Sequence, residues 1–301
     1  MRIDLQIGGY AIRLHEREAR PCLHWPLRPF DSFLIQPERP SDIDLEVKIV
    51  KDLPEVPHGP LIFDASHGLW KLYAAESGYL FESPDTYTLR PRSRAIVSAD
   101  FSHAEVWHCE QPSHAGPGWT PMHIVTPIVE VCLVTRLARD GGLLLHAAGT
   151  LTDHGGWVFT GPSGSGKSTL CDLFTAGSAR VLCDERIILR KVAGALVVYG
   201  TPWAGAGQQA TNAAGPLTAL YCIRHGEGTH ALRKLSHRDF SLFVLRQCFL
   251  PHWDRAAMDR TLTFLDELID RIGCFELAFV KRPDVVDYLE EQRVGHAMAS
   301  S

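Results

Sequence analysis

Over the first third of the chain, apolar and polar residues alternate with a period of two. Tyr10-Ala-Ile-Arg-Leu-His, Ile43-Asp-Leu-Glu-Val-Lys-Ile-Val, Leu69-Trp-Lys-Leu-Tyr and Thr86-Tyr-Thr-Leu-Arg all read this way. Such a period turns one side of a strand to a core and the other to water. Breaks at Pro37–Pro40 and Pro54–Pro60 separate the runs. Residues 1–115 are therefore expected to form a small, mainly-β N-terminal domain, antiparallel and wet on one face. Its edges offer a docking place for an extended peptide by strand addition.

Gln111-Pro-Ser-His-Ala-Gly-Pro-Gly118 reads as a linker, and beyond it the pattern changes. Pro127–Ala138 is a strongly apolar helix with Pro in its first turn. Strands are expected at Leu143–Gly149, Gly156–Thr160, Ala179–Glu185, Ile187–Arg190, Ala195–Tyr199, Leu217–Ile223, His230–Leu235 and Phe275–Val280. Helices are expected after Thr160, near 237–249 and 254–272, and over Pro283–Gln292. Residues 119–301 thus read as an α/β domain.

Between the second of these strands and its helix lies Gly161-Pro162-Ser163-Gly164-Ser165-Gly166-Lys167-Ser168-Thr169, a full match to G-x-x-x-x-G-K-[ST]. The glycines let the backbone curl until its N–H groups form an anion nest. Lys167 is expected to reach the β- and γ-phosphates of ATP, and the Ser168 hydroxyl to ligate Mg²⁺. No N-K-x-D signature of guanine specificity and no L-S-G-G-Q signature of transporter ATPases occurs.

Composition changes this picture little. A formal charge of −5 gives no reason to expect nucleic acid or anionic membrane as partner. No apolar run reaches membrane-span length, and the N-terminus lacks a signal-peptide core. The eight cysteines are scattered without a C-x-x-C pair, which suits buried thiols in a reducing cytoplasm. His103, His108, His114 and His123 fit no zinc spacing and read as solvated loop histidines.

Candidate chemistry beyond the phosphate loop lies on its two neighbours. The strand after the loop helix ends in Asp184-Glu185, so a carboxylate is brought toward the phosphates. Transfer to a hydroxyl needs a carboxylate of this kind as proton acceptor. Asp184 is expected to be that base, with Glu185 a metal or structural partner. His146 interrupts the apolar run Leu143-Leu-Leu-His-Ala-Ala, and is either a satisfied core histidine or a site residue. Trp203, in Gly200-Thr-Pro-Trp-Ala-Gly-Ala-Gly207, either meets an acceptor or packs.

A Leu-His-Ala strand, a glycine-rich phosphate loop and an acidic pair after the next strand, taken together, resemble the HPr kinase/phosphorylase family. The likeness is greatest to its relatives that phosphorylate peptides, such as lasso-peptide precursors. It is specific over residues 141–190 and looser beyond. It implies a P-loop kinase fold of the HPr kinase/phosphoenolpyruvate carboxykinase type, with ATP and Mg²⁺ as cofactors and a serine on a peptide or protein as acceptor. By position it makes Lys167 and Ser168 the phosphate and metal residues, Asp184 the base, and His146 its neighbour by the γ-phosphate. Family members form rings, so a homo-oligomer is an option the resemblance brings. The second carboxylate departs from the family's paired aspartates, and the later glycine-rich docking signature is missing. HPr itself is therefore not the expected substrate. A kinase of a small hydroxylated metabolite and a non-catalytic ATP sensor stay open as alternatives.

Overall fold

The computed structural model describes residues 2–16, 29–36, 39–65, 69–85, 90–109, 124–177 and 179–299, with side chains to 292. The protein is mixed α/β, with large sheets, and divides into two compact units. One comprises Met1–Asp140 and Pro251–Arg260, the other Gly141–Leu250 and Thr261–Ser301.

In the first unit, strands β1 (Arg2–Ile7), β2 (Tyr10–Glu16), β3 (Ile43–Val50), β4 (Leu61–Asp64), β5 (Lys71–Ala75), β6 (Gly78–Pro84), β7 (Pro91–Ser98) and β8 (His103–Cys109) form one sheet. Their order is β1-β2-β3-β8-β7-β6-β5-β4. The expected period is realised: along β3 buried and half-buried residues alternate strictly, with Ile43, Leu45, Val47 and Ile49 inward. The expected antiparallel arrangement is not, because β3 runs parallel to both β2 and β8. Alternation fixes which face of a strand is buried, not which way its neighbour runs. The strand expected at Thr86–Arg90 and the linker at 111–118 fall largely or wholly outside the described residues.

His108 corrects the view of the loop histidines. It is fully buried in β8, where its Nδ1 pairs with the Ser93 hydroxyl at 2.7 Å. His103 lies on the same strand, and His114 and His123 are outside the described residues.

The boundary between units also differs from the expected one. Helix α1 (Glu130–Arg139), entered through a π-turn over Val125–Val129, belongs to the first unit. So does the returning segment Pro251–Arg260, whose Asp254 takes two hydrogen bonds from Arg139 at 2.9 and 2.6 Å. The Trp253 indole N–H donates to the Thr135 hydroxyl at 2.9 Å. No local signal tells a chain segment that its partners lie more than a hundred positions away.

The second unit contains strands β9 (Gly142–Thr152), β10 (Gly155–Thr160), β11 (Arg180–Cys183), β12 (Arg186–Val192), β13 (Ala195–Tyr199), β14 (Ala214–His225), β15 (Ala231–Lys234), β16 (Cys248–Phe249) and β17 (Phe275–Phe279). Its helices are α2 (Lys167–Ala176), α3 (His237–Leu245), most of α4 (Arg255–Ile272) and α5 (Val285–Ala299). The Ser236 hydroxyl caps α3 by accepting from the Asp239 N–H at 3.1 Å.

The long strand β9 organises this unit by changing partners midway. Gly142–His146 pair with β12, and Ala147–Thr152 pair with β10. Strand β10 then runs parallel to β14, which runs parallel to β17. One layer of the core joins Leu170 and Phe174 of α2 to Trp157, Phe159 and Phe279 of the sheet. Phe174 is fully buried against Phe159, with ring centroids 5.3 Å apart. Phe174→Ala is expected to cost about 3–5 kcal/mol of unfolding free energy, measured in denaturant, as truncation of a buried aromatic does.

Seven cysteines are among the described residues and all are free thiols. Burial pushes Cys132 and Cys248 up to about 12, which leaves them unreactive. No helix among the described residues is long and apolar enough to cross a membrane.

Candidate active site

The loop Gly161–Gly166 leaves the end of β10 and enters α2 at Lys167. Gly166 is the N-cap of α2, with φ +100°, in the left-handed region. A Cβ there would also stand 2.5 Å from the Phe279 ring. Only glycine meets both conditions. Gly166→Ala is expected to destabilise the fold by about 1–3 kcal/mol, measured by denaturant unfolding.

Lys167 is buried and turned back along its own loop. Its ammonium donates to the carbonyls of Gly161 at 2.8 Å and Pro162 at 3.1 Å. Burial pushes its pKa below the ordinary lysine value, partly offset by the Glu185 carboxylate. The Ser165 hydroxyl is buried and has no partner among the described residues. Ser168 and Thr169 are half-buried in the first turn of α2, whereas Pro162, Ser163 and Gly164 are exposed. A left-handed glycine at the helix start, a buried lysine and a spare hydroxyl make a donor set that fits a phosphate.

His146 stands where β9 changes partners. It is opposite Arg186 in the β12 register, and the next residue, Ala147, is opposite Thr160. Three hydrogen bonds tie this crossover together. The His146 N–H donates to the Gln247 carbonyl at 2.8 Å, the Ala147 N–H to the Glu185 carbonyl at 3.0 Å, and the Thr160 hydroxyl to the His146 carbonyl at 3.0 Å. The histidine is thereby fixed beside both the loop that begins at Gly161 and the acidic pair.

The two carboxylates face different surroundings, because strand β11 ends at Cys183 and the chain bends through them. Glu185 keeps 36% of its side chain exposed, and its Oε1 lies 3.5 Å from His146 Nδ1. Asp184 is fully buried. Its Oδ1 accepts the Gly205 N–H at 2.8 Å and its Oδ2 the Gly207 N–H at 2.9 Å. Of the pair expected to supply the base, Asp184 is thus without exposure and has each oxygen held by an amide, whereas Glu185 is accessible. Trp203, 6% exposed, packs inward rather than facing an acceptor.

Burial, and after it the Lys167 ammonium, push the His146 pKa below its ordinary value of 6.5, with Glu185 opposing them. The folded chain therefore favours the neutral imidazole. Below about 6.5 the unfolded chain takes up a proton that the folded one refuses. This contribution is thus full above that pH and is lost as pH falls toward the lowered folded value. His146→Gln is expected to lose less stability than the wild type between about pH 7 and pH 5, compared by denaturant unfolding.

Two residues close to this site had no sequence signal. Exposed His225, at the end of β14, has its Nε2 2.9 Å from the Gly164 carbonyl, so that its N–H braces the tip of the loop. The Arg186 guanidinium lies over the Phe249 ring, 5.0 Å from its centroid. Both meet their partners only through strand pairing. Among the described residues no group of three or more His, Cys, Asp or Glu is arranged to hold a metal ion.

No protein-family model and no curated protein matches this chain. Among solved structures it is similar to the HPr(Ser) kinase/phosphatase from Coxiella burnetii, at 14% sequence identity and a TM-score of 0.30. That similarity spans 52% of this chain and 97% of the other.

Proposed function

We propose that the second unit is an ATP-dependent kinase that transfers the γ-phosphoryl group to a Ser or Thr hydroxyl of a peptide or protein. The observation that carries this reading is the convergence of Lys167, His146 and Glu185. Glu185 lies 3.5 Å from the imidazole, and the Lys167 charge acts on both groups. A phosphate cradle with an accessible carboxylate and a neutral histidine beside it has the parts phosphoryl transfer requires.

In the proposed reaction the acceptor oxygen forms a bond to the γ-phosphorus, and the bond from that phosphorus to the β,γ-bridging oxygen breaks. ADP leaves, and the hydroxyl proton passes to Glu185. Lys167 turns from its loop carbonyls to the phosphates, and the amides of Ser163–Thr169 hold them in place. His146 orients the Glu185 carboxylate. Bound Mg²⁺ would supply charge neutralisation between the phosphates, with the Ser168 hydroxyl as its protein ligand. Mg²⁺ held by one or two protein groups plus phosphates and water needs no preformed cage.

Support for a peptide acceptor comes from the first unit. Its sheet ends on β4, where Leu61 and Ile62 are 49% and 38% exposed. An apolar edge of this kind suits an extended chain added as a strand.

The test is titration of the full chain with Mg·ATP, followed by label transfer from γ-labelled ATP to serine- and threonine-containing peptides. Small hydroxylated metabolites serve as parallel acceptors. Binding together with peptide labelling is the expected result. Labelling of metabolites alone would replace the acceptor class, and no nucleotide binding would end the kinase reading.

A further inference from the structure

We propose that Asp184 is a positioning residue, whose buried carboxylate pins the Gly205-Ala206-Gly207 turn against Glu185 and so fixes the accessible carboxylate of the site. The inference rests on the kinase reading for its catalytic consequence, but its geometry stands apart from that reading.

The turn comes from the irregular stretch between β13 and β14, well away from Asp184 in sequence. It is held there by more than the two amide bonds to the carboxylate. The Asp184 N–H donates to the Gln209 carbonyl at 3.2 Å, and the Thr211 N–H to the Leu182 carbonyl at 2.9 Å. Within the turn the Gln208 N–H returns to the Gly205 carbonyl at 3.1 Å. Beyond it the Gln209 side-chain amide donates to Asp172 on α2 at 2.6 Å. The turn is therefore stitched to β11 on one side and to the helix after the phosphate loop on the other.

The lack of side chains at both glycines is what lets the backbone approach. A Cβ at Gly205 would stand 2.7 Å from Glu185 Oε2 and 3.3 Å from Asp184 Oδ2. A Cβ at Gly207 would stand 2.6 Å from Asp184 Oδ2. Gly205 thus touches both members of the acidic pair. The Glu185 carboxylate is confined between His146 on one side and the turn on the other. Burial with two amide donors keeps Asp184 engaged, since each bond to a charged acceptor is stronger than a neutral one. Misplacing a proton acceptor by about 1 Å costs on the order of a hundred-fold in rate. That is the effect the pin prevents.

Asp184→Asn replaces one of the two acceptors with a donor. Gly207→Ala leaves the carboxylate intact and pushes the turn away by volume alone. Both variants are compared with the wild type and with Glu185→Gln. The first readout is amide hydrogen exchange at Gly205 and Gly207; the second is ATP turnover with water as acceptor, followed across pH.

Both pin variants are expected to lose protection in the turn by ten-fold or more. They should keep ATP affinity and show a kcat lowered by about a hundred-fold. Both should retain the fall in rate toward acid, which Glu185→Gln should lack. Unchanged protection in Asp184→Asn would overturn the pin. So would loss of the acid limb in Asp184→Asn with wild-type turnover in Gly207→Ala, because Asp184 would then be the proton acceptor itself. If the wild type neither binds nor turns over ATP, the kinase reading fails, and the exchange measurement alone decides the pin.

Discussion

Glu185→Gln is expected to lower phosphoryl transfer by about two to four orders of magnitude, the range that a positioned general base contributes. The substitution keeps the volume of the side chain and its hydrogen-bonding reach toward His146, but removes the site that takes the proton. ATP affinity is expected to stay within a few-fold of the wild type, because the groups that hold phosphate lie on the loop before α2. Stability should also change little, since Glu185 is 36% exposed and its contact with His146 is long, at 3.5 Å. Single-turnover transfer from labelled ATP, at saturating nucleotide, separates these effects. Normal transfer in this variant would remove Glu185 from the role of acceptor.

Lys167→Ala should act on the other half of the site. Its ammonium is the one charged side chain of Gly161–Thr169, and a hydrogen bond to a charged group is worth about 1.5–3 kcal/mol. Removing it should weaken Mg·ATP binding by about ten- to hundred-fold, read by direct titration. The buried amine now satisfies the Gly161 and Pro162 carbonyls, so the variant also loses two contacts within the loop. Gly161 is buried and Pro162 exposed, so the first of these carbonyls is left short of its donor. A lowered thermal midpoint is therefore expected beside the large change in affinity. Equal affinity in variant and wild type would mean that the loop is a glycine-rich helix start and nothing more.

These two effects divide the site along a line that is also visible in the sequence. Gly161–Thr169 is a contiguous motif, and local geometry accounts for most of it. The left-handed turn at Gly166, the helix that follows and the inward lysine are all local to that stretch. The strand period of β3 was legible for a similar reason, because a period of two reports directly on two faces.

Other features depended on partners that local pattern does not name. The parallel pairing of β3 with β2 and β8, and the inclusion of α1 and Pro251–Arg260 in the first unit, arise from long-range contacts. The burial of His108 is of the same kind, since its Ser93 partner sits on the adjacent strand β7.

The acidic pair makes the division clearest. Residue order alone places two carboxylates just past the apolar run that follows a phosphate-type loop, with a histidine embedded in the apolar strand before the loop. Residue type and strand length carry that much, because side chains alternate and helices need starts. Which carboxylate is accessible follows from the fold. The Gly200–Gln209 stretch returns to cover Asp184, while the crossover of β9 leaves Glu185 beside His146. Accessibility of a carboxylate depends on which distant amides reach it, and two glycines allow that approach where any larger residue would collide.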